Sequence, residues 1–357
     1  MLRKLLKLVL SITLALMLTV CGYITYVVIA YYRIEDNLAL AVTNNSQNPI
    51  ETNKTLSIIS FNTGFGAYSE DYSFFMDGGE YSRAYSKDET IKNVNGMIST
   101  IDSINPDLLL LQEVDIDATR SYHIDQAKMY IEHYKTKSNT FALNYDSPYL
   151  FYPILKPHGK SKAGLLTLAN YKIDTSTRHS LPIEKGFRKF LDLDRCYIKS
   201  TIKTDDGNEL VLYNLHLSAY TSDGSIATEQ LKVLFEDMKT EYENGKYIIA
   251  GGDFNKDLLG DSGQIFGISG EDYSWAKPFP TEIIPNGFSL VSGYNSENPV
   301  ASCRDTGAPY IKGETFEITL DGFLVSANVH VSAYEVVDAG FKNSDHNPVK
   351  MTFSLVK

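Results

Sequence analysis

Two short stretches of this chain carry side chains suited to work on oxygen-rich groups. In GGDFN, Asp253 and Asn255 stand two residues apart, directly after the apolar run Tyr247–Ala250. In extended chain that spacing points a carboxylate and an amide to the same side, at a strand end where they can hold a metal ion or a phosphate oxygen. In NSDHNPV, Asp345 and His346 occupy a loop before the apolar run Val349–Leu355. Other apolar runs also end in polar residues: Asn62 after LSIISF, Glu113 in LLLLQEVD, and Asn214 and His216 in ELVLYNLH. Asp321 interrupts the apolar run Thr315–Ser326. An unpaired buried carboxylate is costly, so Asp321 requires a specific partner. Each position alone reads equally well as a polar turn closing a strand. Together they supply carboxylates for a hard cation, imidazoles for proton transfer and amides for phosphoryl oxygens, a set suited to Mg²⁺-assisted attack on phosphorus.

These side chains can meet only if several strands deliver them to one rim. Leu56–Phe61 and Asp107–Asp115 read as buried strands, as do Ala163–Ala169 and Arg195–Thr204. Glu209–His216 is expected to pair with the strand before it through the Asp206-Gly207 turn. Ile91, Val94, Ile98 and Ile101 recur at helical spacing, which predicts a helix over Asp88–Asn105 stopped by Pro106. A second helix is expected over Ile226–Tyr242. The Tyr- and His-rich stretch 120–151 reads only as helix and loop.

A chain of 357 residues holds one large α/β domain or two small ones. Arg3, Lys4 and Lys7 precede an apolar run from Leu8 to Tyr32 that contains no charge. This run is longer than the core of a signal peptide and sufficient for a membrane helix, with residues 1–7 inside the cell and the body outside. Polar residues 33–54 are expected to form a linker carrying the body, 55–357, clear of the membrane. Cys196 and Cys303 are available to pair, and spacing does not decide whether they do. Residues 1–54 contain five basic and three acidic residues, so the formal charge of -11 becomes -13 for the remainder. A stable grip on a nucleic-acid backbone is therefore not expected.

The motifs SFN (60–62), LLLLQEVD, YNLHL, GGDFN, LDGFLVS (320–326) and SDHNPV occur in one order. In these the body resembles the endonuclease/exonuclease/phosphatase superfamily. FGAYSEDYSFFMDGG, LDLDRC and SCRDTGAPY are similar to a bacterial subgroup usually called RgfB-like. The resemblance implies a four-layer α/β sandwich, two mostly antiparallel sheets face to face with helices outside. It implies Mg²⁺ or Mn²⁺ held by Glu113 with Asn62 and Asp345. It further implies that His346 activates water with Asp321 on its ring, that Asp253 and Asn255 position the nucleophile, and that His216 stabilises the transition state or protonates the leaving oxygen. Gly64 stands where some nucleases of the family carry an aspartate, and Asp115 where some carry an arginine. Arg83, Arg120 and Arg304 are candidate substrate contacts, with a surface salt bridge as the alternative for each. The resulting expectation is a membrane-anchored extracellular phosphoesterase, with an ecto-nuclease and a catalytically silent binding module as the alternatives.

Overall fold

The structure is a computed structural model that describes residues 1–190, 192–219, 225–268 and 276–356. Leu191, which opens LDLDRC, lies outside the described residues. Helix α1 (Leu2–Ala30) is followed by two short strands, β1 (Leu38–Ala39) and β2 (Val42–Thr43). Then come β3 (Leu56–Asn62), α2 (Lys87–Ile104), β4 (Leu108–Ala118) and α3 (Gln126–His133). β5 (Ser138–Asp146), β6 (Ser161–Ala169), β7 (Ile173–Ser180), β8 (Cys196–Lys203) and β9 (Glu209–His216) follow. α4 (Ser225–Glu243) leads into β10 (Tyr247–Asp253), and α5 (Ser262–Phe266) precedes β11 (Phe288–Val291) and β12 (Cys303–Arg304). β13 (Glu317–Ile318), β14 (Asp321–Ser326), β15 (Val329–Val336) and β16 (Val349–Leu355) complete the chain.

Period-2 alternation builds the layers. In β3, β4, β9 and β10 one set of side chains, including Ile58, Leu110, Leu212 and Ile249, joins a core between two sheets. The opposite set packs against helices: Ile59 and Leu109 against Val94 and Ile98 of α2, Val211 and Ile248 against Leu231 and Leu234 of α4. One seven-stranded sheet has the order β1-β7-β8-β9-β10-β14-β11, the other β15-β16-β3-β4-β6-β5-β2. Among the described strands only the central pairs β9–β10 and β3–β4 are parallel, and each is crossed by a helix or longer connection. The α/β sandwich implied by the resemblance is therefore the observed fold.

Local signals act where they were read. The Ser86 Oγ accepts from the Glu89 N–H at 3.1 Å and caps α2, a contact worth about 1 kcal/mol. Gly207, with φ +83°, makes the turn between β8 and β9. The run read as one strand over Thr315–Ser326 is two, β13 and β14, and Asp321 starts the second instead of interrupting it. α1 buries none of its residues, is long and apolar enough to cross a membrane, and ends before Tyr31 and Tyr32. Cys196 and Cys303 are both buried and unpaired.

The polar stretch 33–54 is not a free linker. β1 pairs with β7 at the edge of one sheet and β2 pairs with β5 at the edge of the other. Ile50 is buried and exchanges main-chain hydrogen bonds with Lys203 and Asp205. Arg33 pairs with Asp194 at 3.2 Å. Main-chain donors and acceptors, not apolar side chains, hold most of this segment, which is why its composition resembles that of a loose tether.

Candidate active site

The alternation that fills the core also aims the polar strand ends. Asn62 continues the inward series Leu56, Ile58; His216 continues Leu210, Leu212; Asp253 continues Tyr247, Ile249; Asp321 lies in line with Phe323 and Val325. In register, Asp253 stands opposite His216 on one side and Asp321 on the other. The rim between the sheets thus gathers side chains separated by hundreds of residues. Gly251 and Gly252 permit this. A Cβ on Gly251 would lie 2.6 Å from the Phe323 ring, and one on Gly252 would collide with the Leu215 carbonyl oxygen.

Glu113 breaks the alternation. Gln112 already points inward, so a regular strand would send Glu113 outward to α2. A β-bulge between Leu111 and Val114, with Glu113 at φ +57°, turns it back to the rim. Its Oε1 lies 3.8 Å from His216 Nε2, which is itself 3.5 Å from Asp253 Oδ2. His346 Nε2 faces the same Asp253 oxygen at 3.9 Å, so one carboxylate stands between two imidazoles. His346 Nδ1 and Asp321 Oδ2 are 2.7 Å apart, which gives Asp321 the partner its burial required. Asn62 Nδ2 donates to Asp253 at 3.1 Å. The Asn255 main-chain N–H donates to Asp253 Oδ1 at 2.8 Å, and its side chain donates to the Leu217 carbonyl at 2.7 Å.

The electrostatics of this rim are strained. Burial, then the neighbouring Asp345 charge, pushes Glu113 up to about 8. Burial and Asp321 push Asp253 up to about 6, and burial also raises Asp345. Burial, Arg195 and His346 together hold His216 well below the ordinary histidine range, so it is neutral. Burial works against a charged His346, but Cys303 and Asp321 outweigh it and raise the ring well above that range.

A divalent cation fits this arrangement. Two half-buried carboxylates with raised proton affinity, Glu113 and Asp345, the second adding to the rise of the first, are relieved by positive charge, and the donors here are the oxygens a hard cation takes. Gly64 leaves the necessary room, since a Cβ there would come within 2.8 Å of Asp345 Oδ1. Asp253, Asp321 and His346 also offer ligand atoms within 4.8 Å of one another, and the buried Asp321 Oδ1 has no partner among the described residues. In that trio the contact between His346 and Asp321 already engages the ring nitrogen, so we assign it to proton handling.

Two supporting residues were not singled out from the sequence. Ser302 Oγ donates to Asp321 Oδ2 at 2.8 Å and accepts from the Leu320 and Asp321 N–H groups, which orients the carboxylate behind His346. Arg195 is buried, and its Nε and Nη1 have no partner among the described residues. Both lie within the subgroup stretches, but nothing in those stretches indicates what they would touch.

The three candidate substrate arginines are engaged elsewhere. Arg120 forms a two-pronged pair with Asp115 at 2.9 and 3.1 Å and lies 3.2 Å above the Phe65 ring centroid. Asp115, which stands where some family nucleases carry an arginine, is thereby paired inside the body. Arg304 is buried and donates to the carbonyls of Ser69, Tyr72 and Asp305. Arg83 Nε donates to the Pro157 carbonyl at 2.7 Å.

A sequence profile described as "Endonuclease/Exonuclease/phosphatase family" matches residues 60–346. No curated protein matches the chain by sequence. Among solved structures, an endonuclease/exonuclease/phosphatase from Beutenbergia cavernae DSM 12333 is 15% identical, with a TM-score of 0.58 over 85% of this chain and 72% of that one. ANGEL2, a 2',3'-cyclic phosphatase, in complex with adenosine-2',3'-vanadate is 15% identical, with a TM-score of 0.57 over 90% of this chain and 99% of that one. The human Nocturnin catalytic domain with bound sulfate is 16% identical, with a TM-score of 0.51 over 89% and 98%. At these identities the likeness is one of fold. The profile match starts in the strand that delivers Asn62 and ends at His346, so it encloses the whole rim, and the chain belongs to the endonuclease/exonuclease/phosphatase family, hydrolases of phosphoester bonds.

Proposed function

We propose that this chain is a membrane-anchored, Mg²⁺-dependent phosphoesterase whose body lies outside the cell and cleaves a small or phospholipid-derived phosphoester. The observation that carries the reading is the His346–Asp321 pair, 2.7 Å apart, facing a rim where Glu113 and Asp345 crowd each other. Glu113 with Asn62 and Asp345 would hold the divalent cation, which when bound supplies positive charge to the phosphoryl oxygens and draws down the proton affinity of His346. His346 Nε2 takes the proton of the attacking water while Asp321 holds the other ring nitrogen and steadies the imidazolium. Asp253, kept in place by Asn62 and Asn255, positions the water. His216 is neutral and donates a hydrogen bond to the oxygen where charge develops. Arg195, whose Nε and Nη1 have no partner among the described residues, is the phosphate contact we put in place of Arg83, Arg120 and Arg304.

The body's charge of -13 opposes the many phosphate contacts on which duplex binding depends. The full chain in lipid vesicles, given a panel of phosphodiesters, phosphomonoesters and plasmid DNA, tests the reading. We expect turnover that stops in excess chelator, returns with Mg²⁺ or Mn²⁺ and favours a small or lipid-borne ester. Activity in excess chelator overturns the mechanism, and faster cleavage of plasmid DNA than of every other substrate makes the protein a nuclease. The outside location is tested by adding protease to intact cells, where digestion of the body is expected and protection would place it in the cytoplasm.

A further inference from the structure

One loop that the chemistry does not use carries an unusual surface. Leu150 and Gly159 exchange two main-chain hydrogen bonds of 3.0 Å and close the loop between them. Its base is fastened, since Arg83 Nε donates to the Pro157 carbonyl and Ser82 Oγ to the Lys156 carbonyl. Its tip is apolar and open to solvent: Phe151 is 58% exposed, Tyr152 69%, Ile154 84% and Leu155 96%. Single exposed apolar residues are ordinary on soluble proteins. Four within five residues, on a loop bonded down at its base, form a patch of the kind that marks an interaction site.

A second observation says what covers this patch. The loop touches α1, which buries none of its residues and is long and apolar enough to span a bilayer. Tyr23 Oη donates to the Tyr149 carbonyl at 3.1 Å and accepts from the Phe151 N–H at 3.3 Å, and Tyr26 Oη accepts from the Tyr149 N–H at 3.0 Å. The Tyr23 and Phe151 rings meet edge to face, 5.5 Å between centroids. Tyr23 lies seven residues before the end of α1 (Ala30), which puts the contact roughly 10 Å along the helix axis from that end. Tyrosines at this level of a spanning helix mark the interface between water and hydrocarbon. A loop bonded to them lies at the same depth.

We propose that the tip of the loop, Phe151–Leu155, enters the outer interfacial layer of the same bilayer that α1 spans, a reading that rests on α1 being the anchor. Lys156, next to the tip, then sits at headgroup level. The two contacts together fix the body's orientation. A run of adjoining rings leads inward from the loop, Tyr152 to Phe75 at 5.7 Å, Phe75 to Phe74 at 5.0 Å and Phe74 to Tyr68 at 5.2 Å. Tyr68 packs beside Gly64, so this aromatic surface reaches from the membrane-facing loop to the rim.

The test uses the full chain in phosphatidylcholine vesicles. Trp275, the only tryptophan, is replaced by phenylalanine, and a reporter is introduced as Ile154→Trp, Leu155→Trp or Met17→Trp, the last within α1. Both loop reporters are expected to emit at short wavelength and to be quenched by lipids brominated near the glycerol end, at a depth of about 5–10 Å. Quenching of Met17→Trp while both loop reporters emit as in water overturns the proposal and leaves the anchor standing. If no reporter is quenched, α1 does not enter the bilayer, and the proposal falls together with the anchor. Placing reporters at two highly exposed loop positions guards against a misfolded variant.

Discussion

Two carboxylates two residues apart on β4 meet opposite fates. Asp115 is buried and satisfied: Arg120 embraces it with two hydrogen bonds and Ser121 Oγ adds a third at 2.7 Å. Glu113, turned to the rim by the bulge, has a neutral imidazole at 3.8 Å and Asp345 as its crowding neighbour. The fold can therefore neutralise a buried acid on this very strand. Where it leaves one uncompensated, the unsatisfied group marks a candidate site.

The largest expected effect tests whether chemistry resides on the uncompensated side. His346→Ala should lower turnover of a small phosphodiester by at least about 10³-fold, ~4 kcal/mol, with the unfolding midpoint little changed. Asp321→Asn should also slow the reaction. By removing the charge that raises His346, it should move the acid limb of the rate profile to lower pH. A folded His346→Ala enzyme with near-normal turnover would transfer the base role to another residue.

Arg120→Ala is the counterpart on the satisfied side. It strands Asp115 in the interior and should cost about 3–5 kcal/mol in urea unfolding, while molecules that remain folded keep their turnover. A loss of activity without loss of stability would return Arg120 to the substrate.

Glu113→Gln should behave in the opposite way. Mg²⁺ affinity, followed by calorimetry, should fall by more than the about 10–100-fold typical of losing an outer contact. Stability without metal should rise on the order of 1 kcal/mol at neutral pH. The sign follows from the raised pKa. Wild-type Glu113 must either keep a proton or bury a charge above its ordinary range near 4.5, so the gain appears as pH rises toward about 8 and vanishes below 4.5. A gain of equal size in acid would mean that Glu113 is not strained.

The smallest effect is expected at Arg195. Arg195→Ala should lower kcat/KM by about tenfold, mainly through KM, if its Nε and Nη1 N–H groups bind phosphate. An unchanged KM would make it a structural residue like Arg120.

Much of the rim was legible because an apolar run records both a strand and the face its last residue takes. Asn62, His216, Asp253 and Asp321 follow from counting in twos. Glu113 does not, because counting sends it outward and only its backbone conformation brings it back. Ser302 and Arg195 act through spatial neighbours, so their residue types alone say nothing. β5 stayed hidden because Asn139, Thr140 and Asn144 are polar residues that the fold buries, and composition does not record that setting. The surroundings of the three arginines were hidden for a related reason: a guanidinium suits a phosphate, a carboxylate or a carbonyl equally well, and in this structure Arg120 meets Asp115 while Arg83 and Arg304 meet carbonyls.

The segment 33–54 bears on where the body could be cut free of α1. β1 completes one sheet and β2 the other, on the same side of the sandwich. A protease cutting near Arg33 would release a body with both of these strands in place. A cut near Lys54 would strip one strand from each sheet and leave two open edges, the kind of surface on which chains pair and precipitate. The safe point of release is thus a narrow stretch just after α1, and a soluble form made any shorter should aggregate.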